Sequence, residues 1–169
     1  MKYFGSILKF LTFPGMFLHA LWEHLICILY GSNVEDSRAI RLDELSGHVE
    51  HDFMDTPGKQ FLLCFLPFLF NLILGLLLSG VAVAKIFVLG EKSTILYVIL
   101  WVGASLLSNL FPLVEDAMFM FSEIYSEKTK LAAKIFAAPI AAILYVGAYL
   151  NMYGLTVFTT AGFLALCLI

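Results

Sequence analysis

Three ionisable residues interrupt a stretch that is otherwise suited to lipid. His19, Glu23 and His24 lie within an apolar run from Pro14 to Tyr30. An ionisable side chain in a spanning helix costs about 2.5–3.5 kcal/mol on insertion scales, so such residues ask for a role or for mutual satisfaction. At about 100° per residue, His19 and Glu23 stand about 40° apart on one helix face, one turn from each other. An imidazole nitrogen and a carboxylate so placed suit a shared metal ion, or a hydrogen bond between them. His24 lies about 140° from His19 and reads as an interfacial or packing residue.

A second constellation is Asn109-Leu110-Phe111-Pro112-Leu113-Val114-Glu115-Asp116, which sets two carboxylates just past an apolar run. Taken alone, Glu115 faces water and Asp116 caps or anchors the helix that follows. Asn71 and Asn109 suit hydrogen bonds between helices. His48 and His51 fall in a polar segment and read as solvated. Cys27, Cys64 and Cys167 all sit in apolar runs without a CxxC pair, as buried small hydrophobes rather than a disulfide framework.

These residues need a membrane scaffold, and composition supplies one. The chain has 169 residues, 61% of them hydrophobic and only 14% charged, with 16 Phe. Its mean hydropathy is +0.93. Soluble chains are usually about 45–50% apolar. A net charge of −3 offers no basic stripe for phosphates, so no nucleic-acid partner is expected. Lys2 and Lys9 precede an apolar stretch, but no small-residue cleavage site follows, so the segment reads as a retained membrane element.

Four stretches are long and apolar enough to expect a span, at about 20 residues each. The first is Pro14 to Tyr30, with Pro14 in the opening turn and Gly31 at the end. Phe61 to Ala84 carries no charge over 24 residues. Pro67, Asn71 and Gly75 within it predict a bend or a close helix contact. Thr94 to Leu110 stops before Pro112. The fourth begins near Leu131, and the 35 residues from Ile135 to Ile169 are uncharged. A straight helix of that length would measure about 52 Å against a hydrocarbon core of about 30 Å. Asn151-Met152-Tyr153-Gly154 is the natural place for a kink or a break into two helices.

The segment from Ser32 to Lys59 is polar and holds seven acidic residues. Alternation in Ile40-Arg41-Leu42-Asp43 and in His48-Val49-Glu50 predicts a small surface β-hairpin. Leu113 to Lys130 suits a short interfacial or re-entrant helix. The expected fold is an all-α polytopic membrane protein of about four transmembrane helices, with a surface β-hairpin and an interfacial helix. It forms one domain over residues 1–169, with the extramembrane loop at about 32–59. Alternating spans put six basic residues on the hairpin side and four on the other, a slight bias toward a cytoplasmic hairpin.

The segment Phe13 to Cys27 resembles the zinc-binding helix of site-2-protease-like membrane metalloproteases. Those proteins carry HExxH in their first conserved helix, and an N-x-x-P segment followed by an Asp ligand in a later one. Asn109-Leu110-Phe111-Pro112 with Asp116 is similar to the latter. Ser46-Gly47-His48-Val49-Glu50-His51 and Leu66-Pro67-Phe68-Leu69-Phe70-Asn71-Leu72-Ile73-Leu74-Gly75 are similar to segments of small prokaryotic members. The four blocks keep the family's order over residues 13 to 116.

Two departures shape what the resemblance implies. Aligned on His19, the family's catalytic Glu falls on Ala20 and its second His on Glu23. In the family mechanism the zinc-bound water gives its proton to that Glu, and alanine accepts no proton. The implied metal set is His19, Glu23 and Asp116, harder than two histidines and an aspartate, so zinc or another divalent ion is acceptable. Asn71, Asn109 and His51 are the implied substrate-binding residues.

Three functions are consistent with this pattern. The favoured expectation, because of Ala20, is a catalytically impaired relative that binds a membrane protein or an extended peptide. The hairpin edge would serve for strand addition. The second is an active metal-dependent intramembrane peptidase in which Glu23, His24 or Glu115 replaces the missing base. The third is a structural subunit of a membrane complex without metal. The lipid bilayer is the expected surrounding in each case, and the resemblance implies a prokaryotic plasma membrane.

Overall fold

The computed structural model describes residues 11–36, 49–127 and 129–166. Its elements run α1 (Phe13–Tyr30), β1 (Val34–Asp36), β2 (Glu50–His51), α2 (Pro57–Val83), α3 (Thr94–Ser108), α4 (Val114–Tyr125), α5 (Leu131–Met152) and α6 (Leu155–Leu166). Local chemistry accounts for several boundaries. Pro14 sits in the opening turn of α1, and Gly31 ends it at φ 70°. The N–H of Ser32 then donates to the Cys27 carbonyl at 3.0 Å, satisfying a terminal acceptor. Thr56 caps α2 through its hydroxyl, with Pro57 in the first turn. The last turn of α2 widens over Ala84–Val88, where the N–H of Leu89 reaches Ala84 at 3.1 Å.

Helix α2 is the central post. It packs against α1, α3, α4 and α5, while α6 packs on α3 and α5. Its buried stripe includes Gln60, Cys64, Pro67, Asn71, Gly75 and Ser79. The close contact expected near Gly75 is present: a Cβ there would crowd the Leu107 side chain, 2.8 Å away. One at Gly103 would meet Ser79 in the same way.

The burial pattern is consistent with an outer surface that meets lipid. Leu77, Val81, Ile95, Phe136 and Ile143 are exposed on the helix surfaces. His19, Glu23, Gln60, Asn71 and Asp116 are buried. A water-soluble chain would reverse this distribution.

Three helices are long and apolar enough to cross a membrane: α1, α2 extended to Val88, and α5. Helix α3, the third expected span, has 15 residues and a length of about 22 Å, short of a hydrocarbon core of about 30 Å. The C-terminal apolar run is two helices. It breaks at Tyr153 and Gly154, the latter at φ 72°. Leu113 to Lys130 carries the expected short helix, α4.

The polar segment contains an antiparallel strand pair, with Val34 opposite His51 and Asp36 opposite Glu50 and an irregularity between them. The first strand expected from the alternation, residues 40–43, lies outside the described residues. The described partner of the second strand is Val34–Asp36, nearer to the end of α1.

Candidate metal centre

The scaffold of the site is a set of polar bonds between α1, α2 and α3. The hydroxyl of Ser105 donates to the Thr12 carbonyl at 2.6 Å and accepts the N–H of Gly15 at 2.7 Å. Gly15 is required there, since a Cβ would overlap the backbone of Ser105. The side-chain amide of Asn109 donates to Thr12 and Ser105 carbonyls at 3.1 and 2.9 Å. Asn71 donates to Gly15 and Asn109 carbonyls at 3.3 and 2.8 Å. The Asn109 carbonyl lies 3.1 Å from Nδ1 of His19, which donates to it. These bonds fix the His19 ring beside the N-x-x-P turn.

Three donors from three elements converge beside this scaffold. Glu23 (α1), His51 (β2) and Asp116 (first turn of α4) each offer one ligand atom, all within 4.8 Å of one another. Nε2 of His51 lies 3.8 Å from Oε1 of Glu23 and 3.8 Å from Oδ1 of Asp116. Ligands of a tetrahedral ion at about 2.0–2.1 Å stand about 3.3 Å apart, so each of the two 3.8 Å distances to His51 would close by about half an ångström around one.

The orientation of each donor suits that use. Nδ1 of His51 donates to the Asp52 carbonyl at 3.0 Å, which leaves the Nε2 lone pair toward the carboxylates in the neutral tautomer. Oε2 of Glu23 accepts the N–H of Val49 at 3.0 Å, leaving Oε1 toward His51. Asp116 lies in the first turn of α4, where the helix dipole favours a negative charge. One nitrogen and two carboxylate oxygens form a hard set, suited to zinc and to harder divalent ions.

The charges are concentrated and sheltered. Glu23 is 1% exposed and Asp116 5%, and two carboxylates so buried are costly without a cation or a proton beside them. Burial alone would depress the pKa of His51. The Glu23 carboxylate, the Asp116 charge and the Asp52 carbonyl outweigh it and raise the pKa from 6.5 to about 9. The imidazole ring thus takes a proton readily when no metal is bound, and a divalent ion competes with that proton.

The residues singled out in the sequence fall into separate groups. Glu23 and Asp116, expected as metal ligands, lie together, and His51, expected as a substrate-binding residue, lies with them and could supply a nitrogen ligand. His19 is buried one turn before Glu23 and held by Asn109. The side-chain N–H groups of Asn71 and Asn109 are engaged with backbone carbonyls, so both act as bridges between helices. His24 is half-buried with its Nδ1 unbonded, and Glu115 is exposed. Gln60 was not singled out. It is wholly buried at the start of α2, and its Oε1 accepts the N–H of Met54 at 3.0 Å. Its only signal in the sequence is an amide at the mouth of an uncharged run.

Compared with known proteins, the chain matches no family model, no curated protein and no solved structure.

Proposed function

We propose that this chain is a membrane-embedded metal-binding protein of site-2-protease-like build, which engages a membrane protein or an extended peptide without hydrolysing it. The observation that supports this is the meeting of Glu23, His51 and Asp116 from three separate elements in a buried place. Chance surface clusters of acids are exposed; these groups are not. The metal set differs from the expected one by a single exchange, with His51 supplying the nitrogen. A divalent ion there would act as a Lewis acid that polarises a carbonyl oxygen.

Hydrolysis is set aside because Ala20 occupies the position of the proton acceptor and is wholly buried. In this reading α3 completes a fourth crossing and the β1–β2 pair offers a strand edge to the partner. The order of the four sequence blocks argues for a prokaryotic plasma membrane as the host. Incubation of the full-length protein with a transmembrane peptide and zinc tests the reading. No cleavage is expected, and cleavage abolished by Asp116→Ala would overturn it.

A further inference from the structure

Gln60 stands where an apolar side chain would cost least. It is wholly buried near the start of α2, at the edge of the uncharged run. Thr56 caps the helix, and its carbonyl accepts the N–H of Gln60 at 3.1 Å. Helical side chains lean toward the N-terminus, so the Gln60 amide reaches back to the loop before α2. There Oε1 accepts the N–H of Met54 at 3.0 Å. Nε2 is buried without a hydrogen-bond partner, and a donor left so is costly. The position retains one acceptor oxygen and bears the cost of an unused amide nitrogen.

That oxygen holds the segment that carries His51, and the segment is firmly set. Several of its polar bonds run to α1 and to the residues just beyond it. The N–H of Val49 donates to Oε2 of Glu23 at 3.0 Å. Asp52 is held from three directions. Ser32 Oγ donates to its carbonyl at 2.8 Å, Asn33 Nδ2 donates to its Oδ2 at 3.1 Å, and the Asn33 carbonyl accepts its N–H at 3.1 Å. The same Asp52 carbonyl accepts Nδ1–H of His51. These bonds place His51 relative to Glu23.

The placement relative to Asp116 runs through α2. Met54 is buried with Ile26, Cys27 and Leu63, and its bond to Gln60 ties the segment to the head of α2. Cys64, one turn after Gln60, packs with Met120 and Ile124 of α4, the helix that carries Asp116. Gln60 therefore joins the His51 segment to the packed body that holds Asp116.

We propose that Gln60 is a positioning residue of the metal site: through Met54, its Oε1 sets Nε2 of His51 against Oδ1 of Asp116, 3.8 Å away. Gln60 itself binds no ion. This rests on the metal reading above. Groups that orient a ligand from outside the coordination sphere typically change metal affinity about 10–100-fold when they are removed.

Zinc titration of the full-length protein in lipid nanodiscs tests this, with ion stoichiometry and amide hydrogen exchange on the same samples. Gln60→Met keeps the length of the side chain and removes the acceptor. It is expected to weaken zinc about tenfold, with one ion per chain still bound at saturation and faster exchange at Met54. Gln60→Asn, whose amide falls short of Met54, repeats the test with a polar group kept. Gln60→Glu keeps an acceptor oxygen and should restore the affinity. Gly103→Ala crowds Ser79, about five turns along α2 from Gln60, and should loosen the bundle without changing zinc affinity. Full zinc affinity in Gln60→Met and Gln60→Asn would overturn the positioning role and leave the metal site standing. So would an equal weakening in Gln60→Glu or in Gly103→Ala. Absence of zinc binding by the unaltered protein would overturn both readings.

Discussion

Nε2 of His51 lies 3.8 Å from Oδ1 of Asp116, which joins a two-residue strand outside the bundle to the first turn of a helix 65 positions further along the chain. The pair turns a surface loop into part of a buried site. Glu23 completes it from the opposite side, and the consequences can be measured.

The first concerns pH. The raised pKa of His51 means that the ion-free fold gains stability from its imidazolium. That gain is fully present below pH 6.5 and is lost as pH rises through about 9. Metal affinity runs the other way, because the ion must displace the proton from Nε2. It should rise about tenfold per pH unit and flatten near pH 9. Titration of the protein with zinc across this range checks both slopes, and His51→Gln should remove the dependence.

A second expectation concerns the scaffold. Gly15 meets the backbone of Ser105 so closely that a Cβ would overlap it, and backbone cannot rotate away. Gly15→Ala should therefore push α1 from α3 and destabilise the protein by about 1–3 kcal/mol. Thermal unfolding in detergent reads this. Gly80→Ala, at a glycine with open space around it, serves as the control and should be near neutral or slightly stabilising.

Asn71 provides a third. Its amide bridges the Gly15 and Asn109 carbonyls, and the residue is wholly buried. Asn71→Ala should cost about 1–3 kcal/mol, since the Asn109 carbonyl loses one of its two donors and a void opens. The same thermal measurement checks it. A substrate contact would leave stability unchanged and alter partner binding alone.

The helices were legible in the sequence because their causes are local. Pro14 and Gly31 bracket α1, the uncharged run of Phe61 to Ala84 marks α2, and Gly154 splits the C-terminal apolar run. The length of α3 was less legible, since the turn toward Pro112 begins at Asn109 and takes the last expected residues from the helix. Glu23 and Asp116 were also readable, as carboxylates beside or within apolar helices. The place of His51 beside Glu23 and Asp116 was not readable. It stands in a polar loop, and its placement depends on fastenings by Glu23 and Gln60 that bond to backbone N–H groups. No periodicity records a bond from a side chain to a distant main chain.

Metal analysis of the purified full-length protein, by mass spectrometry of the released ions, tests the central claim most directly. One divalent ion per chain is expected in the unaltered protein and less than a tenth of that in His51→Ala, with the helical content of the two unchanged. A protein without stoichiometric metal after loading, or an ion retained in full by His51→Ala, would contradict it.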